Sequence, residues 1–220
     1  MKNQLGLSSR FSTFIFDWDG TLTTVKWLRL MNEKLNPAVK YYKWASKRKW
    51  IPKTETYKAV IKKEDLRSKS REFENRILSK PINLSMSFLV PRLHNGVREV
   101  LNELDSSGKK IALLTNGNIY RVIKEIERLK IENYFDAIES AQELGAWKPN
   151  PLGIEILIKS LKSDKKNTIY VGDSADDVDS ARFAGVKSCA VANGFDSRDN
   201  LLRHKPDFIF ESMEELYRSL

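Results

Sequence analysis

Four short polar stretches carry the residues whose types could do chemistry. Asp17-Trp18-Asp19-Gly20-Thr21 follows an apolar run, Thr115-Asn116-Gly117 follows another, Lys148-Pro149-Asn150-Pro151 stands alone, and Gly172-Asp173-Ser174-Ala175-Asp176-Asp177 follows a third run. Asp17, Asp19, Asp173 and Asp177 are four carboxylates that repel one another unless protons or a cation compensate them. Magnesium is the natural occupant of such a set, because it prefers oxygen ligands, keeps several waters and pairs with phosphate. Phosphoryl transfer then needs an in-line nucleophile, donors for the equatorial oxygens and a proton for the leaving group. Asp17 can be the nucleophile and form an aspartyl phosphate. Asp19, two residues on, is placed to protonate the leaving oxygen and later to activate water. Lys148 supplies positive charge, while the Thr115 hydroxyl and backbone N–H groups of Asn116 and Gly117 supply neutral donors.

The elements that must hold these residues read as alternating strands and helices. Short β-rich runs lie at Ser12–Phe16, Lys110–Leu114, Ala137–Ser140, Thr168–Val171, Lys187–Ala192 and Phe208–Phe210. Amphipathic stretches at Gly96–Leu104, Ile119–Leu129, Pro151–Leu161, Ala175–Ala184 and Ser212–Leu220 alternate with them, with Gly108 and Gly185 as stop signals. This pattern predicts a Rossmann-like, doubly wound α/β core, a parallel sheet with helices on both faces. In such a sheet ligands gather beyond the carboxyl ends of the strands, which is where the polar stretches fall.

Residues 24–90 break the rhythm and read as an inserted α-helical domain, so the expected organisation is a core of 1–23 and 91–220 around a helical insertion. The insertion carries seventeen Lys and Arg against six Asp and Glu, a surplus of 11 against a whole-chain charge of +9, which leaves the rest at about −2. A basic insertion in a near-neutral frame suits an anionic partner. Tyr41–Trp50 interleaves basic and aromatic residues in a pattern that can stack on bases, though a small helical domain also needs such side chains for its own core.

The chain resembles the haloacid dehalogenase superfamily. The resemblance rests on D-x-D-G-T at Asp17 to Thr21, the strand-end Thr115, Lys148 followed by Pro149, and G-D-x-x-x-D from Gly172 to Asp177, all in the family's order. It implies that Asp17 is nucleophile and magnesium ligand, that Asp19 is the acid/base and a backbone-carbonyl ligand, and that Thr115 and Lys148 bind phosphate. Asp173 would be the main additional metal carboxylate, with Asp177 assisting directly or through water. The insertion resembles the helical cap of the phosphoglycolate phosphatase-like branch. Two departures stand out: Trp18 replaces the usual aliphatic residue, and Leu22-Thr23-Thr24-Val25 replaces an acidic residue and Ser.

The expectation is a magnesium-dependent phosphatase acting on a small phosphate monoester of phosphoglycolate, sugar phosphate or nucleotide type. A phosphomutase of the same fold, or a nucleic-acid-binding protein or polynucleotide-end phosphatase using the basic insertion, are the alternatives. Dehalogenase activity is disfavoured, because the dehalogenases of this family generally lack a counterpart of Asp19. Composition is that of an ordinary globular protein, 41% hydrophobic and 30% charged, with no run of the roughly 20 apolar residues that span a bilayer. The polar opening and single cysteine, Cys189, fit a cytoplasmic location, and no membrane partner is expected. Asp176 and Asp179 read as exposed helix residues, His94 and His204 as surface or packing residues, and Cys189 as a small buried hydrophobe.

Overall fold

The computed structural model describes residues 6–24, 61–62 and 91–220. Their elements, in chain order, are α1 (Leu7–Arg10), β1 (Thr13–Phe16), β2 (Ile61–Lys62), α2 (Val97–Ser106), β3 (Lys110–Thr115), α3 (Ile119–Leu129), β4 (Ala137–Ser140), α4 (Ala141–Leu144), α5 (Leu152–Ser160), β5 (Thr168–Gly172), α6 (Ala175–Ala184), β6 (Lys187–Val191), α7 (Arg198–Arg203), β7 (Phe208–Phe210) and α8 (Met213–Arg218). Six strands are parallel in the order β4-β3-β1-β5-β6-β7, and β2 adds antiparallel to the β4 edge. The α/β core expected from the sequence is the fold observed.

Strands buried on both faces explain the near-continuous apolar runs. Along β1, Phe14 and Phe16 enter one core while Ile15 enters the other; β3 divides Ile111 and Leu113 from Ala112 and Leu114 in the same way. The first core is closed by apolar faces of α2, α3 and α8, including Val100, Leu104, Val122, Ile126 and Leu216. The second is closed by Ile154, Leu157 and Ile158 of α5 and by Ala181 and Ala184 of α6. Each fully buried large side chain contributes about 1.5–3 kcal/mol by leaving water.

The parallel strands run from β1 in the middle of the sheet outward through β3 and β4, then return to the other side of β1 for β5, β6 and β7. That reversal opens a crevice beyond the carboxyl ends of β1 and β5. The N–H of Asp17 donates to the Val171 carbonyl at 2.9 Å, carrying the β1–β5 ladder one residue past the strand and fixing where the crevice begins.

Two features differ from the sequence expectation. Ile61–Lys62, inside the stretch read as helical, forms β2; its backbone satisfies edge groups of β4 that would otherwise lack strand partners. The short helices α1, α4 and α7 were also not expected, because four to six residues are too few to show a helical period. Residues 25–60 and 63–90 of the insertion, Tyr41–Trp50 included, lie outside the described residues. Among the described residues, no helix is long and apolar enough to cross a membrane.

Candidate active site

Three buried carboxylates meet at the crevice. Asp17, Asp173 and Asp177 each offer an oxygen, and these atoms lie within 4.8 Å of one another. Asp17 stands at the end of β1. Asp173 follows β5, and Asp177 is the third residue of α6, whose first turn is closed by a reciprocal cap: the Ser174 hydroxyl accepts from the Asp177 N–H, and Asp177 Oδ2 accepts from the Ser174 N–H at 3.0 Å. The same Oδ2 accepts from the Asp173 N–H and the Ser174 hydroxyl, at 3.2 and 2.6 Å. The cap therefore sets the angle at which Asp173 enters the crevice.

Lys148 is the cation among them. Its Nζ donates to Asp17 Oδ1 at 2.5 Å, to Asp177 Oδ1 at 2.6 Å and to the Tyr170 hydroxyl at 3.2 Å. The Asp17 carboxyl is held at about 7: burial raises it most, Lys148 pulls it down, and Asp177 and Asp19 add to the rise. Burial likewise holds Asp173 well above the usual carboxylate range, with Asp17 and Asp177 adding to it. Burial alone would lower Lys148, but the charges of Asp17 and Asp177 hold it well above its ordinary value.

A divalent cation fits this donor set. Three carboxylates against one ammonium leave a surplus of buried negative charge, and the oxygens are hard ligands of the kind magnesium uses. Close packing keeps Asp173 in place: Thr21 donates to its Oδ1 at 2.6 Å and the Phe195 N–H to its Oδ2 at 2.6 Å. A Cβ on Gly20 or Gly194 would meet Asp173 Oδ2 at 2.3 or 1.8 Å, so the backbone approaches that carboxylate closely at both glycines.

The strand-end loop after β3 is tied back on itself. Thr115 Oγ1 accepts from the Gly117 N–H at 2.9 Å, which leaves its own O–H to donate. Asn116 Oδ1 accepts from the Lys148 N–H at 3.0 Å, so its side chain locks the loop to the segment that carries the lysine. Ser140, at the end of β4, donates to the Gly117 carbonyl at 2.7 Å. These bonds bring Thr115, Asn116, Gly117 and Lys148 together.

Asp19 is placed differently from the other carboxylates. Its side chain is 20% exposed and forks onto Arg121 of α3, with Nη1 donating to Oδ1 at 3.0 Å and Nη2 to Oδ2 at 2.5 Å. It is not one of the three clustered carboxylates, and its backbone carbonyl is the group the resemblance assigns to a cation.

Sequence reasoning missed Arg121, Glu125, Tyr170 and the loop after β6. Arg121 and Glu125 form an i,i+4 pair one turn beyond Asn118, a spacing visible in the sequence. Tyr170 sits inside an apolar run and reads as core, yet its hydroxyl donates to Asp177 Oδ1 at 3.1 Å. Among the residues read as bystanders, Asp179 is only partly exposed, its side chain 16% accessible, where the sequence suggested an exposed position. Asp176 is exposed, Asp179 pairs with Arg182 and His204 at 2.6 and 3.0 Å, and burial pushes the Cys189 thiol well up.

A family model described as haloacid dehalogenase-like hydrolase matches residues 14–191. The chain is 30% identical over 153 residues to the phosphoglycolate phosphatase of Vibrio parahaemolyticus, covering 70% of this chain and 65% of that protein. It is 29% identical over 123 residues to pyrophosphatase PpaX of Halalkalibacterium halodurans, covering 56% and 57%. Each of these matches takes in less than two thirds of the relative's length. In fold it is similar to a haloacid dehalogenase-like hydrolase from Bacteroides fragilis, with a TM-score of 0.67 and 20% identity over 94% of this chain and 99% of that one. A family match that runs from β1 through β6, and holds all four polar stretches at one end of the sheet, makes the chain a member of the haloacid dehalogenase-like hydrolase family.

Proposed function

We propose that the protein is a magnesium-dependent phosphatase that hydrolyses a small phosphate monoester through an aspartyl phosphate on Asp17. The observation that carries this reading is the ion pair of Lys148 with Asp17 inside the buried carboxylate group, beside the strand-end Thr115. Names of relatives, a phosphoglycolate phosphatase and a pyrophosphatase, support the substrate class.

Asp17 and Asp173, with the Asp19 carbonyl and with Asp177 beside them, are the groups that would hold magnesium. Bound there, the ion neutralises the carboxylates and draws in phosphate. The chain's own groups do the rest. A carboxylate oxygen of Asp17 forms a bond to phosphorus as the bond to the leaving oxygen breaks. Asp19 gives that oxygen a proton. Lys148, the Thr115 hydroxyl and the N–H groups of the following loop stabilise charge on the equatorial oxygens. Water then attacks phosphorus, its proton passes to Asp19, and the departing phosphate restores the Asp17 carboxylate. A carboxylate nucleophile two residues from its acid/base keeps both on one short, well-packed turn.

Phosphate release from a panel of phosphoglycolate, sugar phosphates and nucleotides, measured with magnesium and after chelation, tests the reading. Release that requires magnesium is the expected result. Undiminished release after exhaustive chelation would remove the metal from the account.

A further inference from the structure

Arg121 stands inside the site without a part in the chemistry assigned above. Its guanidinium covers both oxygens of Asp19, at 3.0 and 2.5 Å. While that fork is closed, neither oxygen is free to reach a leaving group.

The guanidinium is held from behind. Nη1 also donates to both oxygens of Glu125, at 3.0 and 2.9 Å, and Glu125 Oε2 accepts from Trp18 Nε1 at 2.7 Å. Trp18 is fully buried and lies between Asp17 and Asp19 in the chain, so the brace is anchored to the same turn as the nucleophile. In front, the guanidinium abuts the loop after β3: a Cβ on Gly117 would meet Arg121 Nη2 at 2.4 Å and Asp19 Oδ2 at 3.3 Å. The Arg121 and Asp19 side chains are 24% and 20% exposed, against 4% and 7% for Lys148 and Asp17. The pair is therefore the more open part of the site, next to where the phosphate would sit.

Release of Asp19 leaves a guanidinium edge that needs another acceptor, because an uncompensated charge in a partly buried site is costly. A leaving group that carries a carboxylate or phosphate supplies one, in the two-oxygen form that guanidinium matches. A neutral leaving group supplies nothing comparable. Glu125 meanwhile keeps the guanidinium in place while its other edge changes partner.

We propose that Arg121 is an anchor for the leaving group: it exchanges the Asp19 carboxylate for a second anionic group of the substrate, and so frees Asp19 when such a substrate is bound. The proposal rests on the phosphatase reading and narrows its substrate class to phosphate esters and anhydrides whose leaving group is itself anionic.

The test uses the magnesium-loaded full chain as wild type, Arg121→Gln and Arg121→Lys. 2-Phosphoglycolate and pyrophosphate carry the second anionic group, and methyl phosphate does not. Arg121→Gln is expected to lower kcat/KM for the two anionic substrates by roughly ten- to a hundredfold relative to methyl phosphate, chiefly through KM, with Arg121→Lys in between. A role confined to packing lowers all three alike, and an unchanged ratio overturns the proposal; Arg121→Lys reads the same ratio should the glutamine variant not fold. A binding arm separates this proposal from the phosphatase reading. In an Asp17→Asn background, calorimetric titration should show Arg121→Gln weakening 2-phosphoglycolate more than inorganic phosphate, and equal weakening counts against the anchor. No turnover of any substrate by wild type, with that discrimination intact, sinks the phosphatase reading and leaves the anchor standing.

Discussion

Lys148 Nζ lies 2.5 Å from Asp17 Oδ1, a buried ion pair between residues 131 positions apart in the chain. It joins the loop before α5 to the end of β1, and Asp177 completes it from α6. Removing one partner of a buried pair strands the other charge. Lys148→Met should therefore lower stability by about 3–5 kcal/mol in urea unfolding without magnesium. Adding Asp17→Asn should recover part of the loss. Equal stability of Lys148→Met and wild type would show that the pair contributes nothing to the fold.

Gly194→Ala tests how tightly the backbone embraces Asp173. The added methyl would stand 1.8 Å from Asp173 Oδ2, which the Phe195 N–H also holds, so the carboxylate must move. Loss of a hydrogen bond that orients a metal ligand, here the one from Phe195, typically weakens metal binding by about 10–100-fold. The magnesium concentration at half-maximal phosphate release should rise in that range, with circular dichroism unchanged. An unaltered magnesium response would mean that Asp173 is not a ligand.

Trp18→Phe removes one hydrogen-bond donor while keeping an aromatic ring in the core. Glu125 Oε2 would lose its 2.7 Å partner in a place where burial already raises that carboxyl's pKa. The expected cost is about 1–3 kcal/mol in denaturant unfolding. Pairing the change with Glu125→Gln should make the two losses less than additive, whereas full additivity would argue against a direct bond.

Asp207 gives a pH signature away from the site. Burial pushes its carboxyl up, but the Lys187 ammonium at 2.6 Å and the Ser188 N–H at 2.9 Å outweigh that and hold it below its ordinary 3.8. A carboxyl with a depressed folded pKa stabilises fully above its unfolded value, and the contribution fades as pH falls through the folded value. Asp207→Asn should thus cost at most about 1 kcal/mol near neutrality, because the pair is largely exposed, and nothing at strongly acid pH. A cost that persists undiminished in acid would assign the effect to shape instead of charge.

The strand ends were legible because chemistry and punctuation coincide there. Asp17, Thr115 and Asp173 each follow an apolar run, and a parallel sheet brings such positions to one edge. The helix Ala175–Ala184 was also legible, since Ser174 and Asp177 spell a capping pair. What stayed hidden depends on side-chain direction. Tyr170 alternates onto the face of Ile15 and Leu114, where its ring reads as core, while its hydroxyl accepts from Lys148. Arg121 looks like a surface residue of an amphipathic helix until its side chain folds back over Gly117 to Asp19. Strand β2 has two residues, too few for any period to emerge.

The nucleophile is the central claim, and a quench experiment reaches it most directly. Wild type mixed with a turned-over phosphate ester, stopped in acid within the first turnover and reduced with borohydride, should yield a peptide in which Asp17 has become homoserine, the product expected from an acyl phosphate. Asp17→Asn should give no such peptide and release no phosphate while keeping the wild-type circular dichroism spectrum. Wild-type phosphate release from a folded Asp17→Asn variant would contradict the account.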